Sequence, residues 1–301
     1  TVIKADEITA VRGTQEGMAH LGMAILNPGD VVLLPDPGYP VFEAGSYLGG
    51  AEVYYYPLLR ENNFLPVIED IPEDVLNKTK YIVLSYPSNP VGASAPKEMY
   101  VRMIEYAKKY NFAIINDNAY SDIIFDGREG FSFLSLPGAK DVGVEFFSLS
   151  KSYNVTGLRI SFCIGNKSII DAFKLLRSQY DFGMSYPAQK AAIAALRGPR
   201  DSVKAQCAEY QRRRDALLNG LRKYGWNVPD SHGTMFVWLP VPEGYTSASF
   251  TEALMDKAGV IGTPGTAFGP LGEGYIRFAL TKSAEELAVI ADVIGQSGVL
   301  S

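Results

Sequence analysis

The chain has 301 residues, 47% hydrophobic and 20% charged, with a formal net charge of −5. That length can bury a core without disulfide or metal support, in one large domain or two smaller ones. The acidic balance argues against a nucleic-acid or anionic-membrane partner, and no apolar run reaches the ~20 residues of a membrane helix. A cytoplasmic globular protein is expected. Cys163 and Cys207 stand far apart, and neither His20 nor His232 has a second histidine at ligand spacing. Disulfide frameworks and mononuclear zinc chemistry are therefore unsupported.

In chain order, apolar runs at 31–35 (VVLLP), 51–56 (AEVYYY), 81–85 (YIVLS), 112–116 (FAIIN), 144–148 (VEFFS) and 159–165 (RISFCIG) read as strands. They are near-continuous rather than alternating, as buried strands of a mostly parallel sheet are. Helical patterns separate them. The clearest covers 96–110, with Pro96 at its start and Lys108 and Lys109 in its last turn. From about Ser168 long helices take over, including an amphipathic one over 199–225 whose Arg212, Arg213 and Arg214 read as a solvated face. Then follow 234–241, a helix near 249–258, the short 259–263, 275–280 and a last helix from Ser283. The expectation is an α/β fold, a mostly parallel sheet covered by helices over 1–200, with a smaller α+β C-terminal domain over 201–301.

Ligands of open α/β sheets bind beyond the carboxyl ends of the strands. The polar residues following each run therefore converge on one site: Asn89, then Asp117 and Tyr120, then Ser148, Ser150 and Lys151, with Arg159 opening the next run. Gly13, Thr14 and Gln15 start a helix, where free N–H groups and the helix dipole suit a phosphate. Taken singly, each has a plain reading: Asp117 or Asn89 as turn residues, Gly13 as a backbone solution, Lys151 as a solvated lysine. Together, a phosphate nest, a carboxylate, a phenol, an amine and an arginine match what pyridoxal 5'-phosphate needs.

The stretches DPGYP (36–40), DVGVEFFSLSKSYNVTGLR (141–159) and GVIGTPGTAFGPLGEGYIRFAL (259–280) resemble the fold-type I pyridoxal-phosphate aminotransferases of class I/II. The likeness is greatest to the aspartate/LL-diaminopimelate group. The resemblance implies that Lys151 is the Schiff-base lysine and Asp117 the partner of the pyridine nitrogen. It implies that Tyr120 and Asn89 meet the ring hydroxyl, and that Tyr39 stacks on the ring. Ser148, Ser150, Arg159 and the Gly13-Thr14-Gln15 helix start match phosphate ligands, and Arg277 matches the clamp for the substrate α-carboxylate. It further implies a homodimer acting on an amino acid and a 2-oxo acid.

Two local departures stand out. NPVG replaces the commoner NPTG, so Val91 lacks a hydroxyl, and SFCIG puts Ser161 where a glycine is usual. The chain also starts later than family members do, so an N-terminally incomplete copy is expected. Alternatives on the same cofactor are a C–S lyase or synthase, or a truncated binding module without turnover. The S-x-x-K pattern of 148–151 also occurs in penicillin-binding proteins, but its S-D-N and K-T-G companions are absent here.

Overall fold

All six apolar runs pair into one sheet, joined by a seventh strand that no apolar run announces. The computed structural model describes residues 2–181 and 183–300. The first half contains Ile8–Val11 (β1), Thr14–Ile25 (α1), Val31–Asp36 (β2), Val41–Gly49 (α2), Glu52–Pro57 (β3), Glu73–Lys78 (α3), Thr79–Ser85 (β4), Lys97–Tyr110 (α4) and Ala113–Asp117 (β5). Next come Ala139–Val142 (α5), Gly143–Ser148 (β6), Leu149–Ser152 (α6), Ser161–Gly165 (β7), Lys167–Tyr180 (α7) and Tyr186–Arg197 (α8). The remainder is Asp201–Lys223 (α9), Phe236–Pro240 (β8), Ser247–Ala258 (α10), Thr263–Pro264 (β9), Tyr275–Ala279 (β10) and Ala284–Gln296 (α11).

The large sheet has the order β1-β7-β6-β5-β4-β2-β3. Its pairs are parallel from β3 to β6, and β7 runs antiparallel to both β6 and β1. Alternation along the strands sends side chains to two separate cores. Leu33, Ile82, Leu84 and Ile114 pack with Met103 and Ile104 of α4, while Val32, Leu34, Val83 and Ile115 pack with Leu21 of α1 and Phe173 of α7. Both faces are covered, which explains why these strands read as continuous apolar runs. The C-terminal part holds a three-stranded antiparallel sheet, β8-β10-β9. Its Val237, Leu239, Ile276 and Phe278 enter a third core with α9, α10 and α11.

Three elements differ from expectation. β1 is a four-residue edge strand, and its register opposite 161–164 comes from a partner some 150 residues later, a non-local pairing invisible to local pattern. The run 259–263 forms a strand only at Thr263–Pro264, because Gly259 closes α10 in the left-handed conformation at φ 63. Arg214 is not solvated: it is 4% exposed and grips Asp126 through two bonds of 2.7 Å. Arg212 and Arg213 remain nearer solvent, against Glu209.

Helices α1 and α2 cross at two glycines. A Cβ on Gly22 would overlap the Gly45 carbonyl, and one on Gly45 would lie 2.7 Å from the Met18 carbonyl oxygen. Gly22→Ala should gain up to ~1 kcal/mol of helix propensity, but the obstacle is backbone, and overpacking costs about 1–3 kcal/mol. The expected outcome in urea unfolding is a net loss of stability. A midpoint equal to wild type would contradict this crossing.

Candidate active site

The direction of β7 decides which residues meet. Its first residue, Ser161, pairs with Ser148 at the end of β6 and with Val11 at the end of β1. The loops leaving β1, β4, β5 and β6 therefore open on the same end of the sheet as the loop entering β7. A cavity of about 380 Å³ lies there. All twelve residues singled out from the sequence line it: Gly13, Thr14, Gln15, Tyr39, Asn89, Asp117, Tyr120, Ser148, Ser150, Lys151, Arg159 and Arg277. Three further residues also line it, Ala119, Thr156 and Phe236.

One end of the cavity is built from the β1–α1 turn and the β6–β7 connection. Gly13 precedes α1 at φ 103, and a side chain there would overlap the Arg159 guanidinium. Arg159 has φ 49, a sparsely populated conformation costing on the order of 1–3 kcal/mol for a residue with a side chain. Its guanidinium donates to the Thr156 carbonyl at 3.1 Å and the Arg12 carbonyl at 3.4 Å, bridging the two segments. The Ser148 hydroxyl accepts the Ser150 N–H at 3.2 Å, capping the single turn α6, and accepts the Ser161 hydroxyl at 2.9 Å. Ser161, which the sequence marked only as extra bulk, thus orients Ser148. The Ser150 hydroxyl is buried with no hydrogen-bond partner among the described residues. Free helix N–H groups, hydroxyls and a guanidinium suit this end to an anion.

The middle holds the titrating groups. Asp117 ends β5 and is 8% exposed, with Oδ1 buried and unpartnered among the described residues. Burial pushes its carboxyl up to about 7, against the Ala119 N–H and the Lys151 ammonium, which pull it down; the Glu145 charge adds to the rise. Burial lowers the Lys151 amine, and the Arg159 charge lowers it further, while Asp117 opposes both. Its Nζ lies 3.8 Å from Met235 Sδ. Burial, then the nearby Asp117 charge, keeps the Tyr120 phenol protonated well above its ordinary range.

At the other end, the Arg277 Nη1 donates to Asn89 Oδ1 at 2.8 Å. Its guanidinium carbon sits 4.1 Å from the Phe236 ring centre and 4.4 Å from that of Phe268. Tyr39 reaches the cavity from the β2–α2 turn, which is tied to the C-terminal part: Gly38 N–H donates to the Phe268 carbonyl at 2.7 Å, and Leu271 N–H to Asp36 Oδ1 at 3.1 Å. Val91, the departure in NPVG, packs in an apolar cluster with Trp238 and Phe268.

The profile of the family described as Aminotransferase class I and II matches residues 1–294. The chain belongs to that family. It is 50% identical over 281 residues to LL-diaminopimelate aminotransferase of Dehalococcoides mccartyi, covering 93% of this chain and 72% of that protein. With the Moorella thermoacetica protein of the same name it shares 44% over the same spans. Among solved structures, substrate-bound BacF from Bacillus subtilis superposes with a TM-score of 0.96 at 35% identity, covering 99% of this chain and 76% of the other. A probable N-succinyldiaminopimelate aminotransferase from Thermus thermophilus gives 0.91 at 33%, covering 97% and 78%. This aminotransferase therefore has the fold of those enzymes, as its sequence resemblance implied.

The raised Asp117 carboxyl sets a pH dependence. Between its usual value of 3.8 and about 7, the folded protein keeps a proton that the unfolded chain has released. Folding is therefore increasingly disfavoured by this group as pH rises through that window. In cofactor-free aminotransferase, Asp117→Asn should stabilise the fold more at about pH 8 than at about pH 5, by a few kcal/mol. Equal effects at both pH values, read by urea unfolding, would show that Asp117 is not held protonated.

Proposed function

We propose that this aminotransferase moves an amino group between LL-diaminopimelate and a 2-oxo acid, using pyridoxal 5'-phosphate held in the cavity beyond β1, β5 and β6. The observation that carries the reading is the meeting of seven separate stretches (13–15, 39, 89, 117–120, 148–151, 159 and 277) in one cavity. The donor set fits the cofactor. The anion end would take the phosphate through the α1 N–H groups, Ser148, Ser150 and Arg159. The unpartnered Asp117 Oδ1 would accept the pyridine N–H, and a cationic partner there would draw its carboxyl back down. The Tyr120 hydroxyl and the Asn89 amide would meet the ring oxygen, and Tyr39 would cover the ring. When bound, the cofactor supplies an electron sink for charge developing at the substrate Cα.

The chain's own groups perform the rest. Lys151, whose amine is lowered by burial and by Arg159, would act at Nζ as a nucleophile and move a proton at the substrate Cα. Tyr120 keeps its proton and donates. Arg277 fixes the substrate by its α-carboxylate, for which a planar bidentate fork is the suitable group. Together these would hold the substrate Cα in the cavity that Lys151 lines. Support for the donor comes from relatives at 42–50% identity that carry the LL-diaminopimelate aminotransferase name.

Two readouts test the reading. Borohydride treatment of the purified protein with pyridoxal phosphate should leave the cofactor covalently attached in wild type and free in Lys151→Ala. Amino transfer to 2-oxoglutarate should be faster from LL-diaminopimelate than from aspartate or alanine. Cofactor retained by Lys151→Ala would overturn the lysine assignment, and indifference among donors would overturn the substrate.

A further inference from the structure

The small sheet presents two faces of different character. In an antiparallel pair, directly opposed residues share a face and residues two apart on a strand do too. Arg277 of β10 lies opposite Trp238 of β8, and Tyr275 opposite Pro240. Tyr275, Arg277, Phe236 and Trp238 therefore occupy one face, while their neighbours Val237, Leu239, Ile276 and Phe278 fill the core behind. The aromatic face is continuous. Trp238 stacks on Tyr275 at 5.1 Å and 13°, and meets Phe268 edge-on at 5.8 Å. Phe268, from the 3-10 turn Gly265–Phe268, also sets its ring against the arginine.

The guanidinium is thus held against two rings, its carbon 4.1 and 4.4 Å from their centres. Rings that close restrict where the side chain can swing and leave its N–H groups for a ligand. One N–H is spent on Asn89, and Nε is buried with no hydrogen-bond partner among the described residues. A buried donor left unsatisfied is costly, so the arginine gains from an incoming acceptor beyond its one bond to Asn89. A long side chain free to rotate would lose rotamer entropy on capturing a carboxylate. Here the rings have already fixed it.

We propose that Phe236 and Phe268 are positioning residues for the substrate carboxylate, acting through Arg277 by holding its guanidinium in place between cavity and protein. The inference rests on the reading of Arg277 as the carboxylate group and names residues which that reading does not use. The clamp exploits a property that lysine lacks, a flat cation that stacks. Cation–π contacts away from water contribute enough for a roughly tenfold change in affinity when one ring is lost.

The test is calorimetric binding of succinate, a dicarboxylate that cannot react, to cofactor-loaded protein, alongside kinetics with LL-diaminopimelate. Phe268→Leu and Phe236→Leu keep an apolar side chain but remove the π face. Each should weaken succinate binding about tenfold and raise KM far more than it lowers kcat. Phe268→Tyr, which keeps the ring, should restore affinity. In an Arg277→Lys background the same leucine changes should have less than half the effect on a logarithmic scale, because the flat cation is gone. Unchanged pyridoxal-phosphate absorbance reports an intact fold in each variant. Equal weakening in both backgrounds, or wild-type binding by both leucine variants, would overturn the clamp. Wild-type binding by Arg277→Lys would instead overturn Arg277 as the carboxylate group, and the clamp with it.

Discussion

The antiparallel pairing of β7 with both β6 and β1 is the constraint on which the site depends. If β7 ran with its neighbours, Arg159 would open at the far end of the sheet from Ser148, and α1 would have no reason to begin beside them. Because it is reversed, Ser161, Ser148 and Val11 lie side by side. The turn at Gly13 and the strained turn at Arg159 then converge at one end of the cavity. The glycine is required there in two respects, by its φ of 103 and by the guanidinium that fills the space of a Cβ. Strain in Arg159 is held by bonds to two carbonyls from separate segments.

That arrangement also brings opposing charges near Lys151: burial lowers its amine, the Arg159 charge lowers it further, and the Asp117 charge resists the change. Burial dominates at all three titrating positions, raising Asp117 and Tyr120 and lowering Lys151. Each shift favours the neutral form, as desolvation must. Between the two guanidinium cations Arg159 and Arg277, burial thus shifts a carboxyl, a phenol and an amine toward their neutral forms. Behind Asp117, Glu145 is anchored by Asn116 Nδ2 at 2.9 Å and the Phe133 N–H at 2.8 Å. The pair Asn116 and Glu145, directly opposed on β5 and β6, fixes the strand end that presents Asp117.

Much of this was legible in the sequence because the sheet is covered on both faces. Six strands stood out as apolar runs, and Asn89, Asp117, Ser148 and Lys151 followed them where an α/β sheet puts its ligands. β1 was not legible: Ile8 to Val11 is a run of only four residues broken by the polar Thr9, and only pairing with β7 makes it a strand. Arg214 was misread for a similar reason. Its partner Asp126 lies 88 residues away, so helix periodicity alone placed it among solvated neighbours. Phe236 and Phe268 were not singled out, because nothing local in 234–241 or 259–280 shows that their rings meet the Arg277 guanidinium. Ser161 read as bulk because a hydroxyl's hydrogen bond to a residue on the paired strand has no local signature.

The most direct measurement is a crystal structure of the protein grown with pyridoxal phosphate. The account predicts phosphate oxygens within hydrogen-bond distance of the α1 N–H groups, Ser148, Ser150 and Arg159, with the pyridine nitrogen against Asp117 Oδ1. Phosphate bound elsewhere, or a ring nitrogen turned away from Asp117, would contradict it.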